Sequence, residues 1–298
     1  MYRSRAPIRR AGKKLAGLLD CRTGFHPNEA KAAALGTPGG AAAMVIIPWL
    51  ALAAQLHSLV PPRRVLWALG FTVAFAVSAR LLRAVTVSGA VAGGVLAFLL
   101  FLGGGPGAFA ALIAVFLLTW VTTRTGHQRK RQLGTAEQRS GRSAAQVIAN
   151  VGIAAAAALA GLATRHPAAG LVVCSAALTE AVADTTSSEV GQAVSNSAYL
   201  ITDFRTVPVG TDGGISVAGT LAGVAAALAI ATIAWATRII ALHWLLPVAA
   251  AGVLGMFVDS FLGASLERRR LLNNNAVNLL STVAAALFAL FLYWSRHG

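Results

Sequence analysis

Long apolar runs alternate with short polar ones from about residue 42 to the end of the chain. They fall at about 42–60, 64–82, 85–102, 106–122, 144–163, 167–184, 215–236, 239–259 and 275–294. Runs of 17–22 residues suit α-helices crossing about 30 Å of hydrocarbon. No ten-residue segments of alternating polarity occur, so the pattern predicts helices and not barrel strands. The expected fold class is all-α, a polytopic transmembrane helical bundle of about nine spans within a multi-pass domain at 41–298. Residues 1–40 are polar and basic. They are too long for the charged start of a secretory signal and read as a retained cytoplasmic tail. The 192–206 stretch is open to two readings, a lid or a plain connection.

Charge sets the expected orientation. With the N-terminus inside, twenty of the 25 lysines and arginines fall on cytoplasmic segments and five outside. That bias predicts a chain in the cell (inner) membrane with a cytoplasmic N-terminus. Arg63 and Arg64, on an outer segment, run against it. A net charge of +15 would suggest nucleic acid in a soluble protein. Only 12% of the residues are charged, however, against about 25% in a soluble domain. The basic residues are therefore read as topology signals and contacts to the anionic lipid bilayer, with no nucleic-acid partner. Cys21 and Cys174 make neither a metal spacing nor a disulfide pair. Gly89 with Gly93, and Gly219 with Gly223, are small-residue spacings that predict close helix packing inside the bundle.

Four polar clusters fall on one side of the membrane in this topology. The first is the basic loop 123–143, with Lys130 and Arg131, leading into Arg142, Gln146 and Asn150 at four-residue spacing on one helix face. The second is Asp184-Thr185-Thr-Ser-Ser188-Glu189 at the end of the sixth run. An Asp at a helix C-terminus is disfavoured by the dipole unless a cation is near, and hard oxygen ligands in modest number suit Mg²⁺. The third is Gly210-Thr211-Asp-Gly213-Gly214-Ile-Ser216, a glycine turn opening an apolar run. Backbone N–H groups there, with a helix N-terminus behind, suit a phosphate. The fourth holds Asp259, Gly263 and Glu267, then Asn274 and Asn278. Carboxylates, basic residues and three positive helix ends at one surface suit a metal–polyphosphate ligand. No histidine is given a catalytic role, although His127 lies in the basic loop.

The runs GRSAAQVIAN (141–150), ADTTSSEVG (183–191), VPVGTDGGISVAGT (207–220), DSFLGASLE (259–267) and NNNAVN (273–278) resemble, in order, the motifs of the integral membrane family called domain of unknown function 92. That family includes animal transmembrane protein 19 and a plant phytyl-phosphate kinase. The resemblance covers about residues 45–295. It implies a membrane-embedded lipid-phosphate kinase that moves a phosphoryl group from a CTP-like nucleotide triphosphate to an isoprenoid phosphate on the cytoplasmic face. Asp184 and Glu189, with Asp259 as a third ligand, would hold Mg²⁺. Arg142 and Lys130 or Arg131 would neutralise phosphate charge. Gly210, Thr211, Gly213, Gly214 and Ser216 would cradle phosphates, beside Thr185 and Ser188. Gln146, Asn150, Asn274 and Asn278 would orient the phosphates or the acceptor. Two other readings compete: a transporter or lipid flippase, and a lipid phosphotransferase that uses no nucleotide.

Overall fold

The computed structural model of the chain describes residues 60–135 and 141–297. The expected tail at 1–40 and the first run at 42–60 lie outside the described residues. The described elements are α1 (Pro62–Leu81), α2 (Val87–Arg124), α3 (His127–Leu133), α4 (Ala144–Ala163), α5 (Pro167–Val194), β1 (Ala198–Leu200), β2 (Thr206–Val207), β3 (Gly214–Ile215), α6 (Val217–Ala236), α7 (Leu245–Leu262) and α8 (Asn274–His297). A short 3₁₀ turn at Leu242–Trp244 precedes α7, and a π-helical turn at Gly263–Glu267 follows it. Among the described residues, seven helices are long and apolar enough to cross a membrane. In hydrocarbon every backbone N–H and C=O must be met inside the segment, which an α-helix achieves.

One of the seven is two spans. α2 has 38 residues but leaves helical geometry at Gly105 (φ 71°, ψ −165°), directly before Pro106. That φ suits a residue without Cβ, and the proline has no N–H to continue the ladder. The chain doubles back there. Arg124, at the far end of α2, donates from Nη2 to the carbonyl of Leu82, just before its start, at 2.7 Å. The runs read at 85–102 and 106–122 are therefore antiparallel limbs, each about 27 Å long at 1.5 Å per residue. The break frees carbonyls at the end of the first limb, and Arg64 Nε donates to Phe101 O at 3.3 Å. The residue that ran against the charge bias thus caps a broken helix.

α5 is the hub of the bundle. Its membrane window is 72% buried, compared with 17% for α1. Side chains such as Leu66, Trp67, Val73 and Val77 on α1 face outward, as expected where the solvent is lipid. With no hydrophobic gain between helices in lipid, close backbone approach provides the packing. Gly219 and Gly223 press α6 onto α5, where added methyl groups would meet Ser187 O and Ala183 O. Gly252 and Gly255 do the same for α7, against Thr179 and Glu180. The expected glycine packing is present, although Gly93 meets only Val147, at 3.6 Å.

Two features depart from the hydropathy reading. α5 does not stop near residue 184. It continues to Val194, so Asp184 lies inside a helix and the dipole argument made for a C-terminus does not apply. The polar residues from 184 to 192 read as a loop because they are hydrophilic, but they remain helical because they face a polar cavity. Residues 192–206 also acquire structure, since β1 pairs antiparallel with both β2 and β3 in a small sheet ordered β2-β1-β3. This sheet ties the 198–207 segment to the glycine turn.

Candidate functional site

All four polar clusters open onto one cavity of about 340 Å³ at one end of the bundle. Each arrives on a different element. α4 begins at the cavity with a capping box: Ser143 Oγ accepts from Gln146 N at 3.4 Å, and Gln146 Oε1 accepts from Ser143 N at 2.7 Å. Gln146 is therefore partly committed to starting its own helix. One turn on, Asn150 is buried and donates from Nδ2 to Gln146 O at 2.8 Å, which directs its carbonyl oxygen elsewhere. Arg142 precedes the cap. Its backbone is clamped to the α1–α2 connection: Arg142 N donates to Ala84 O, and Thr86 N to Arg142 O, both at 3.0 Å.

α5 brings Asp184, Thr185, Ser188 and Glu189 to the wall. α7 and its π turn bring Asp259, Gly263 and Glu267, four residues apart and on one side. Asp184 and Asp259 face each other within hydrogen-bonding reach, with Arg142 close enough to act on Asp184 electrostatically. Asp259 is held from behind, where Ser281 Oγ donates to Oδ2 at 3.2 Å. Asn278, with its amide nitrogen turned inward, donates to the same oxygen at 3.2 Å and to Asn274 O at 3.0 Å. One turn deeper, Glu180 is buried and accepts from Thr282 Oγ1 at 2.6 Å. Buried carboxylates in a membrane-spanning bundle are costly and signal function.

The glycine turn closes the cavity. Gly210, Thr211, Gly213 and Gly214 all line it. Gly214 N donates to Thr211 O at 2.8 Å. Gly213 has φ +72°, and a methyl group there would overlap the backbone of Ala264 in the π turn. Gly213→Ala is therefore expected to cost about 1–2 kcal/mol from the left-handed backbone alone, with the overlap added. The measurement is the melting temperature in detergent. An unchanged melting temperature would mean the turn does not lock onto α7. Ser216 caps α6, its Oγ accepting from Gly219 N at 3.1 Å. Three helix N-termini, those of α4, α6 and α8, thus reach the cavity.

Most of the expected site residues meet here: Arg142, Gln146, Asn150, Asp184, Thr185, Ser188, Glu189, Gly210, Thr211, Gly213, Gly214, Ser216, Asp259, Asn274 and Asn278. Lys130 and Arg131 do not line the cavity. Lys130 is buried, and its Nζ bonds Glu189 Oε2 at 2.6 Å, Thr123 O at 2.8 Å and Thr122 O at 3.0 Å. Glu189 lies five residues from Asp184, about 140° around the helix. It therefore turns one oxygen toward Lys130 and not toward the aspartate pair. Asp212, Ser187, Gln192, Ser260 and Thr135 also line the cavity without having been singled out. Asp212, Ser187 and Ser260 sat inside motifs already marked, Thr135 lay in the basic loop, and Gln192 fell one residue past the 183–191 run.

Among the described residues, no group of three or more His, Cys, Asp or Glu converges tightly enough to hold an ion unaided. Mg²⁺ does not need such a cage, because it binds through one or two carboxylates plus waters and substrate phosphate. The Asp184–Asp259 pair fits that demand.

The sequence profile of the integral membrane protein DUF92 family matches residues 70–286, which contain every cavity residue named above. An uncharacterized membrane protein of Methanocaldococcus jannaschii is 30% identical over 205 residues, covering 69% of this chain and 84% of that one. An uncharacterized membrane protein of Synechocystis is 33% identical over 192 residues, 61% of this chain and 72% of its own. Protein VTE6, chloroplastic, of Arabidopsis thaliana is 27% identical over 222 residues, 71% of this chain and 66% of its own. No solved structure matches the chain.

Proposed function

The chain belongs to the integral membrane protein DUF92 family, and on that premise we propose that it is a lipid-phosphate kinase. The donor is a nucleotide triphosphate of the CTP type, and the acceptor is an isoprenoid monophosphate. One observation carries this reading: clusters distant in sequence converge on a single cavity that pairs two aspartates with Arg142 and three helix N-termini. That arrangement suits a ligand with several phosphates and a divalent cation.

The acceptor phosphate is already an anion, so it needs little help from a base. An oxygen of the acceptor phosphate forms a bond to the donor's γ-phosphorus. The bond from that phosphorus to the β–γ bridging oxygen breaks, and the nucleoside diphosphate leaves with the electron pair. The products are a prenyl diphosphate and the diphosphate nucleotide. The protein's task is alignment and neutralisation. Arg142 lies where it would draw the two anionic groups together. The backbone N–H groups of Gly210, Asp212 and Gly213, which unlike those of Thr211 and Gly214 are not bonded within the turn, and the α6 terminus receive donor phosphates. Asn274 and Asn278 steady the aspartates and the phosphate oxygens. Asp184 and Asp259 would hold Mg²⁺, which supplies neutralisation of the donor phosphates. Under the charge bias of the sequence, this end of the bundle faces the cytoplasm, where nucleotide is present.

The polar cavity does not reach Glu180 or Thr282, and the core beyond them holds Leu178, Ala177, Cys174 and Val248, with Thr179 and Ser175 the polar side chains of α5 buried there. One-sided polarity favours transfer over transport. Full-length protein in detergent, given Mg²⁺, a prenyl monophosphate and CTP radiolabelled at its terminal phosphate, is expected to yield labelled prenyl diphosphate. No transfer across a panel of nucleotides and prenyl monophosphates would remove the reading. Lipid movement in proteoliposomes without nucleotide consumption would replace it with a flippase.

A further inference from the structure

A second cavity, of about 530 Å³, lies beside the first, walled by α1, both limbs of α2 and the first half of α4. Phe75, Ala76 and Ala79 form one wall, and Gly93, Leu112 and Val115 form others. From Leu112 to Arg124 its length is about 18 Å at 1.5 Å per residue. The walls are apolar except at one end, where Arg83, Arg124, His127 and Arg142 gather.

Two further lining residues at that end carry unmet polarity. Trp120 Nε1 and Thr123 Oγ1 are buried without a hydrogen-bond partner among the described residues. Both can donate to an anion. Arg124 is held in place above the Trp120 ring, 4.3 Å from its centroid, and by its bond to Leu82 O. Arg142 and Asn150 line both cavities, so the charged end abuts the polar site.

We propose that this cavity seats the acceptor, a lipid monophosphate with a single long apolar chain. The chain lies between α1 and the α2 limbs. The phosphate sits among Arg83, Arg124, Trp120 and Thr123, with Arg142 between it and the donor. The inference rests on the kinase reading and adds the acceptor's seat and its one-chain form. A two-chain lipid would leave one chain outside a single slot of this size. The occupant enters sideways from the bilayer past α1, the least enclosed of the membrane-length helices among the described residues.

The probe is a prenyl monophosphate with a photoreactive diazirine at its tail end, applied to the full chain in detergent. After irradiation, mass spectrometry is expected to place the label on peptides holding residues 75–79 and 112–116. Unlabelled prenyl monophosphate should compete about tenfold better than prenol, phosphatidic acid or inorganic phosphate. Gly93→Leu fills the slot from a position whose Cβ meets only Val147 Cγ1, at 3.6 Å. It should cut labelling about tenfold with elution and melting temperature kept, and Ala76→Leu serves if it does not fold. Label elsewhere, no label, equal competition by prenol, or full labelling of both folded variants overturns the proposal. Asp184→Asn should label normally while losing transfer. Labelling at these peptides by a wild-type protein that transfers nothing supports the lipid seat and strikes the kinase reading alone.

Discussion

Asp259→Asn should lower the rate of phosphoryl transfer at least about 100-fold, the scale on which a group stabilising transition-state charge acts, while the protein stays folded. The amide has the shape of the carboxylate and can still accept from Ser281 and face Asp184, so the packing around it survives. It also removes one negative charge from a cluster that holds Asp184, Glu180 and Glu267 nearby. Relief of like-charge repulsion in a poorly solvated setting opposes any loss of stability. What the variant lacks is the charge to bind a divalent cation against the donor phosphates. Asp184→Asn is expected to behave the same way. Steady-state transfer rates across a Mg²⁺ titration, with melting temperatures alongside, are the measurement. Wild-type turnover in either folded variant would remove the aspartate pair from the chemistry.

Lys130→Ala should have the opposite profile, a loss of stability of about 3 kcal/mol with little direct effect on the chemical step. The ammonium is 1% exposed and its partner carboxylate 15%. Removing the cation strands Glu189 in a setting with little water. It also orphans the carbonyls of Thr122 and Thr123 at the end of α2. Removing both charges together, as Lys130→Met with Glu189→Gln, should recover much of the loss, since the uncompensated charge is then gone. Thermal melting of the single and double variants provides the test. A Lys130→Ala protein of normal stability with a raised KM for nucleotide would return this lysine to phosphate binding.

These variants also mark where hydropathy was informative. The membrane-length segments were legible because lipid imposes one length and one polarity on each crossing. Even the Gly105 reversal was readable, as two runs where the helix ladder is nearly continuous. The convergence of Arg142, Asp184, Gly213, Asp259 and Asn278 followed from chain direction, since every second connection returns to the same end. Helix ends were less legible. Asp184 to Gln192 is hydrophilic and looks like a loop, but its polar side chains face a cavity and not bulk water. Lys130 misled for the converse reason. A lysine in a basic stretch looks solvated, and only the fold brings Glu189 and two helix-end carbonyls around it. The apolar cavity had no signal of its own, because Ala76, Gly93 and Val115 are ordinary residues of an apolar helix.

The bond from Arg64 to the Phe101 carbonyl carries a consequence for assembly. Arg64 sits at the N-terminal end of α1, and its acceptor belongs to the element that follows. Its acceptor becomes accessible only after the first limb of α2 has crossed and the chain has turned at Gly105. α1 therefore gains this contact only with the helical hairpin that follows it in the chain, and the one bond fastens both.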